Sequence, residues 1–262
     1  MPASTIAEVV TALETIIHDS IAANSRLGYF AALYHKVTVS VQHGIQTGQF
    51  QDGPRMERLD VIFANRYLNA YDQWKKGEQP TASWKLAFET AEKSGPLVLQ
   101  QLLLGMSAHI NLDLGVAAVE VSGTNPLQDI HNDFDMINTI ISSLTYQVLN
   151  DLVKISPLLS LLGLHAGNNN SVLIQFSIDN ARDGAWCFAE ELMLLSIADR
   201  PAGITKRDTN IYKLGTSIAM QNGFLLFTTW VVHLFEWKKP AGIIEVLHGG
   251  KKQHFTIDKP NA

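Results

Sequence analysis

Cysteine is almost missing from this chain: Cys187 is the single thiol among 262 residues. One thiol excludes an intramolecular disulfide and fits a reducing compartment. Within Ala185-Trp-Cys-Phe-Ala-Glu190 it reads as a small buried apolar residue rather than a nucleophile. Charge is also scarce, at 17% of residues, and the net charge of −5 leaves no basic field for nucleic acid. The basic pairs Lys75-Lys76, Lys238-Lys239 and Lys251-Lys252 sit beside Pro or Gly and read as solvated ends. Met1-Pro-Ala-Ser-Thr5 lacks the basic region and cleavage site of a secretory signal, so the expected location is cytoplasmic. Leu214 to Phe235 is mostly apolar and, at about 22 residues, has the length of a membrane span. Gln221, Asn222 and His233 interrupt it, so a core helix is expected and no stable membrane insertion.

Several chemistries are missing as well. There is no Gly-rich phosphate loop, no Gly-x-Ser-x-Gly elbow and no His-Glu-x-x-His helix. Di-iron bundles need Glu-x-x-His on two helices. Here Glu14 and His18 are spaced by four, and His233 precedes Glu236 in the reverse order. Strand-like alternation is confined to His254-Phe-Thr-Ile257, and neither heptads nor a repeat period is sustained.

What remains is helix. A content of 46% hydrophobic residues suits a sizeable core, and the pattern predicts an all-α, single-domain bundle of about eight to ten helices over residues 1–262. Ser4-Thr5 caps a helix to about Ala22, and a second runs from Tyr29 to about Gly48. Pro54 opens a third, ended by Gly77. Thr81 caps a short helix through Trp84 and Phe88, and Pro96 starts another that decays near Ser122-Gly-Thr-Asn-Pro126. The next extends to Lys154, and Ser156-Pro157 begins a short Leu-rich one. Gly167-Asn-Asn-Asn170 is a loop. Leu173 to Asp199 follows, Asp208 caps a helix through Phe235, and a last short one comes after Pro240.

Polar groups concentrate in two places. Leu102 to Leu114 carries His109, Asn111 and Asp113 within an apolar helix former, and Ile130-His-Asn-Asp-Phe-Asp135 carries His131, Asp133 and Asp135. Each block has a His-x-x-x-Asp pair, which a helix places on one face. Such a pair can share a metal ion, or the carboxylate can fix the imidazole's tautomer. Desolvating these groups is costly unless they are paired or bind metal. The bland alternatives stay open: a buried hydrogen-bonded pair at His109–Asp113, and first-turn carboxylates complementing the helix dipole at Asp133 and Asp135. Asp52 in Gln-Asp-Gly-Pro54 reads as a turn residue. Arg66 reads as an ion pair with Asp60 or Asp72, or as an anion ligand. Trp84, Trp186, Trp230 and Trp237 read as core.

The blocks Gly28-Tyr-Phe-Ala-Ala-Leu-Tyr-His-Lys-Val-Thr38, Gly48 to Asp60, Phe63 to Leu68, Leu103 to Leu114, Asp133 to Asn138 and Ala181 to Trp186 resemble an uncharacterised bacterial domain-of-unknown-function family. Its name carries no activity. More distantly, Leu104-Gly-Met-Ser-Ala-His-Ile-Asn-Leu-Asp113 is similar to the Leu-Gly-x-x-x-His-x-x-x-Asp helix of zinc-dependent phospholipase C and the related single-strand nucleases. In those all-helical enzymes a second His-x-x-x-acid pair follows, a slot that His131 and Asp135 match by position. The Pro-x-His segment of that family is replaced by Leu114-Gly-Val-Ala-Ala118, and its N-terminal tryptophan ligand has no counterpart. The resemblance therefore implies at most a mono- or dinuclear site, with His18, Asp52 or Asp60 as further ligands.

The expectation is a metal-dependent hydrolase acting on a phosphoester or similar small polar-headed substrate. His109, Asp113, His131 and Asp135 would hold a divalent ion, zinc first, that acidifies water and polarises the phosphoryl oxygen. Asp133 or Asp60 would be the base, and Arg66 or Arg182 would offset developing charge. Two alternatives stand beside it: a non-catalytic helical protein binding a lipid-like or isoprenoid ligand, and a metal-free lyase or cyclase using Asp and His as acid and base.

Overall fold

Thr5 opens the first helix, α1 (Ile6–Ala22), by accepting a 3.2 Å hydrogen bond from the Glu8 N–H, while Glu8 reaches back to the Ser4 N–H. Ile6, Val9, Leu13, Ile16 and Ile17 form its buried stripe at helical spacing. A computed structural model describes residues 2–162, 178–220 and 223–249. The turn into α2 (Gly28–Gln46) brings Gly28 against Ser20, where a Cβ would stand 2.5 Å from the Ser20 Cβ, so only glycine lets α1 and α2 pack this closely. Asp52 is more than a turn residue. It is the N-cap of α3 (Gly53–Lys75), accepting from the Arg55 N–H at 2.9 Å, with Pro54 in the first turn. Gly77 then ends the helix region with φ +76°.

After α4 (Ala82–Ala91) comes the central rod. It consists of α5 (Val98–Ala108), one π-helical turn (His109–Leu114) and α6 (Gly115–Ser122). This rod is long and apolar enough to cross a membrane, yet 83% of its most apolar stretch is buried inside the protein. A 3-10 turn (Leu127–Ile130) leads into α7 (His131–Ile155), and a second (Leu159–Leu162) follows it. The chain continues with α8 (Ile178–Leu194), α9 (Arg200–Ala219), α10 (Gly223–Phe235) and α11 (Pro240–Gly249). The described residues thus hold eleven α-helices and no strand, one helix more than the upper expectation. The proposed loop at 167–170 and strand at 254–257 lie outside the described residues.

Three carboxylates from later in the chain hold the starts of earlier helices. Asp133 accepts from the N–H groups of Gln51 and Asp52 at 2.6 and 3.0 Å, just before α3. Asp208 accepts from Ala82 and Ser83 N–H at 2.7 and 3.0 Å, at the start of α4. Glu236 accepts from Val98 N–H at 3.2 Å, at the start of α5, and from the Ser156 hydroxyl. Each satisfies orphan helix donors with a charge-assisted bond. Asp208 therefore caps a distant helix rather than its own, which starts earlier, at Arg200 with Pro201 in its first turn.

Two apolar expectations change. The stretch from Leu214 to Phe235 is no single core helix, because α9 ends at Ala219. On α10, Val232 is buried but Leu226, Phe227, Trp230 and Leu234 are exposed, so Trp230 and nearby Trp237 are not core. Cys187 is exposed, not buried, since it lies opposite Ala185 and Ala189 on α8, which face the core.

Candidate functional site: a histidine–aspartate pair in an aromatic box

The π turn is where the rod turns polar. A π turn widens the helix by one residue and leaves backbone groups out of α-register, a feature that recurs at functional sites. It carries His109 and Asp113 into the interior, at 2% and 1% exposure. The Asp113 carboxylate is held on several sides. Arg66 donates from Nε to Oδ1 at 2.8 Å, Trp84 donates from Nε1 to Oδ2 at 2.8 Å, and His109 Nδ1 lies 3.4 Å from Oδ2. A carboxylate only accepts, so Nδ1 bears the imidazole proton and Nε2 keeps a bare lone pair. Burial holds His109 below its ordinary pKa, against the opposing pull of Asp113, which keeps the ring neutral. Nε2 has no hydrogen bond to any described residue.

Aromatic rings enclose the imidazole. Phe63 lies flat on it, centroids 3.6 Å apart and planes 7° apart, while Tyr34 and Phe30 meet it edge-on at 4.5 and 5.6 Å. These rings come from i, i+4 pairs, Phe30/Tyr34 on α2 and Phe63/Tyr67 on α3, which bring both onto one face of each helix. Burial raises the Tyr34 and Tyr67 hydroxyls well above their ordinary pKa, Asp60 adding to the effect at Tyr34, so both are neutral donors. Asp60 sits one turn before Phe63, fully buried. Desolvation, with Glu57 nearby, lifts it to about 7, and its Oδ2 makes no hydrogen bond to any described residue. A carboxyl at that value exists near neutrality in both protonation states.

The expected ligand set does not assemble. His131 and Asp135 do pair, Nδ1 to Oδ2 at 3.2 Å, but their side chains are 34% and 53% exposed, and His131 rests edge-on against Trp186 at the start of α7. No hydrogen bond, ion pair or ring contact links them to His109 or Asp113, and no three His, Cys, Asp or Glu side chains among the described residues are grouped to hold a metal ion. The donor set therefore does not fit the zinc site that the resemblance implied. His18 is exposed on α1, and Asp52 is committed to its cap. Asn111 reaches back to the Ser107 hydroxyl at 3.4 Å, and its carbonyl accepts from Arg207.

The other named residues divide likewise. Asp133, read as a base, is a buried clamp on residues 51 and 52 that also accepts from Arg55 at 3.3 Å. Arg182 is buried, donates to the Phe134 carbonyl at 2.5 Å and lies over the ring of Phe134, a residue of the second core cluster. These contacts hold it at Phe134. Arg66 does belong to the site, but it pairs with Asp113 and, at 3.9 Å, with Glu120, rather than with Asp60 or Asp72. Trp84, read as plain core, is a hydrogen-bond donor to the site. The two i, i+4 aromatic pairs were the signal that could have located the box.

The family model for the domain-of-unknown-function family DUF5995 matches residues 6–221. The chain belongs to this family. No curated protein and no solved structure matches it significantly. The DUF5995 stretch runs from the start of α1 past the end of α9 and contains every residue of the aromatic box. It stops short of α10 and α11, although α11 packs on α1 and α2.

Proposed function

We propose that this DUF5995 chain is an enzyme of metal-free acid–base chemistry, a lyase or cyclase in reaction type, with His109 as the base. The observation that carries the reading is the asymmetry of the imidazole: Nδ1 is tied through Asp113 to Arg66 and Trp84, while Nε2 is neutral, buried and without a hydrogen bond among the described residues. That arrangement fixes tautomer and ring orientation and stabilises the imidazolium formed when Nε2 takes a proton. Asp113 is then a positioning residue, and Asp60 is the acid. In a lyase step Nε2 removes the substrate proton, the electrons left on carbon form the new double bond, and the leaving group departs with the proton of Asp60. The phosphoester hydrolase expected on resemblance needs ligands from the His131 pair; this reading needs none.

The test is hydrogen exchange. The protein is incubated with a mixture of small hydroxy and carbonyl compounds in D2O containing a chelator, and deuterium entering carbon positions is read by mass spectrometry. The wild type should exchange one component, and His109→Ala should exchange it at least about 100-fold more slowly, the usual worth of a general base. With His109 held below its ordinary pKa, proton removal should stay fast at neutral pH and slow in acid, where Nε2 becomes protonated. Exchange that needs added metal and survives His109→Ala would overturn the reading.

A further inference from the structure

Helix α10 is packed inside out. Thr228, Thr229 and Val232 point inward, whereas Leu226, Phe227, Trp230, Leu234 and Phe235 face solvent, with Trp237 just beyond the helix end. These six large apolar residues are 46–61% exposed. Leu226, Phe227, Trp230 and Leu234 follow one another at steps of one, three and four, so they form a continuous stripe rather than scattered exposures. The orientation is fixed from outside the helix. Glu236 accepts from the Val98 N–H and the Ser156 hydroxyl, the Trp237 N–H donates to the Ile155 carbonyl at 3.0 Å, and Val232 is fully buried in the main core cluster. Turning the stripe inward would break all of these contacts.

The charge beside the stripe has one sign. Between Asp208 and Glu245 the chain has a single acid, Glu236, and its carboxylate is buried and bonded. Lys213, Lys238 and Lys239 in the same stretch are exposed. Arg26 stands at the same end of the helix, since burial, Lys238 and Arg26 together hold His233 below its ordinary pKa. In a chain of net charge −5 this is a local reversal of sign. We propose that α10 is a peripheral anchor, which lays its outward apolar stripe into the surface of an anionic lipid bilayer and sets its lysines against the headgroups. Its 13 residues reach only about 20 Å at 1.5 Å each, short of a hydrocarbon core of about 30 Å, so the helix lies in the plane of the interface and does not cross. Indole rings beside lysines suit that boundary. A second copy of the chain would match the apolar stripe, but this stretch would bring no exposed carboxylate to meet the lysines. The DUF5995 match ends at residue 221, before the helix begins, so the anchor lies apart from the residues of the aromatic box and is independent of the role given to His109.

The test is flotation of the full chain with vesicles of mixed phosphatidylcholine and phosphatidylserine, and with vesicles of phosphatidylcholine alone. The wild type should float with the mixed vesicles and bind them at least about tenfold more tightly than the neutral ones, a preference that shrinks in high salt. Phe227→Ser with Trp230→Ser should abolish flotation and leave the melting temperature unchanged, because both side chains already meet water. Lys238→Glu with Lys239→Glu should remove the preference for anionic vesicles. A second readout does not depend on losing the binding. Bromine-labelled acyl chains should quench the tryptophan fluorescence of the bound wild type, and Trp230→Phe with Trp237→Phe should float as before and lose most of that quenching. A wild type that stays unbound to mixed vesicles, binds neutral ones equally well, or floats undiminished after Phe227→Ser with Trp230→Ser overturns the proposal. So does a wild-type dimer that this double variant separates into monomers, since a second copy then covers the stripe.

Discussion

His109–Asp113 and His131–Asp135 have the same residues at the same spacing, and both form a contact between Nδ1 and Oδ2, at 3.4 and 3.2 Å. The first is buried in the central rod with an arginine and an indole behind it; the second begins α7 in partial contact with water. Spacing sets which side chains meet, while the environment decides what the meeting is worth. In the interior an unpaired carboxylate is costly, and Asp113 collects donors from α3, α4 and the π turn. At the surface water competes for every one of those bonds.

Substitutions can break that contrast, and the largest effect is expected at Asp113. Asp113→Ala strands the buried Trp84 N–H and removes the partner of Arg66, and should cost about 3–5 kcal/mol in denaturant unfolding. A loss as small as that of an exposed pair would mean that the buried pair is no keystone.

The pH dependence at Asp60 comes next. Its value in the folded chain, about 7, lies above the unfolded value near 3.9. Between these pH values the folded state keeps a proton that the unfolded state has lost, so this group's contribution to stability falls as pH rises, by at most about 1.4 kcal/mol per pH unit. Asp60→Asn removes the dependence. Its melting temperature should overtake that of the wild type increasingly between pH 5 and 7.5, and parallel curves would refute the assignment.

Asp133→Ala should cost about 2 kcal/mol by leaving the Gln51 and Asp52 N–H groups and Arg55 without their acceptor. Its signature is loosening at the start of α3, read as faster amide exchange at residues 51–55. Asp135→Ala is the smallest, below about 0.5 kcal/mol, with no effect on hydrogen exchange of a substrate. A larger loss would place the second pair beside the first in importance.

Most of the helices were legible because their signals are local. Thr5 as a cap, Pro54 in a first turn and Gly77 as a stop are all read within a few residues. What escaped was set at long range. Asp208 has the sequence look of a helix start and serves one, but the helix is α4, more than a hundred residues earlier. Arg66 has nearer carboxylates at Asp60 and Asp72, yet pairs with Asp113 because α3 lies against the rod. The His109 block was found because polar residues in an apolar helix are conspicuous. Its separation from the His131 block was not legible, since spacing along a helix carries no information about which cluster each face enters.

The π turn also acts as a phase adjuster. Leu102, Leu103 and Leu104 before it pack in one core cluster, and Leu112, Leu114 and Val116 within and after it pack in another. An uninterrupted α-helix would keep a single angular sequence along its whole length, about 100° per residue. The wider turn resets that count, and Gly115 emerges where the carbonyl of Ala185 would lie 2.7 Å from a Cβ. Deleting one residue between Ile110 and Leu112 would remove the bulge and leave α6 facing its core, whereas winding the turn back to α with every residue kept would swing α6 through roughly that angle. The rod would then serve either of its two cores, but not both at once.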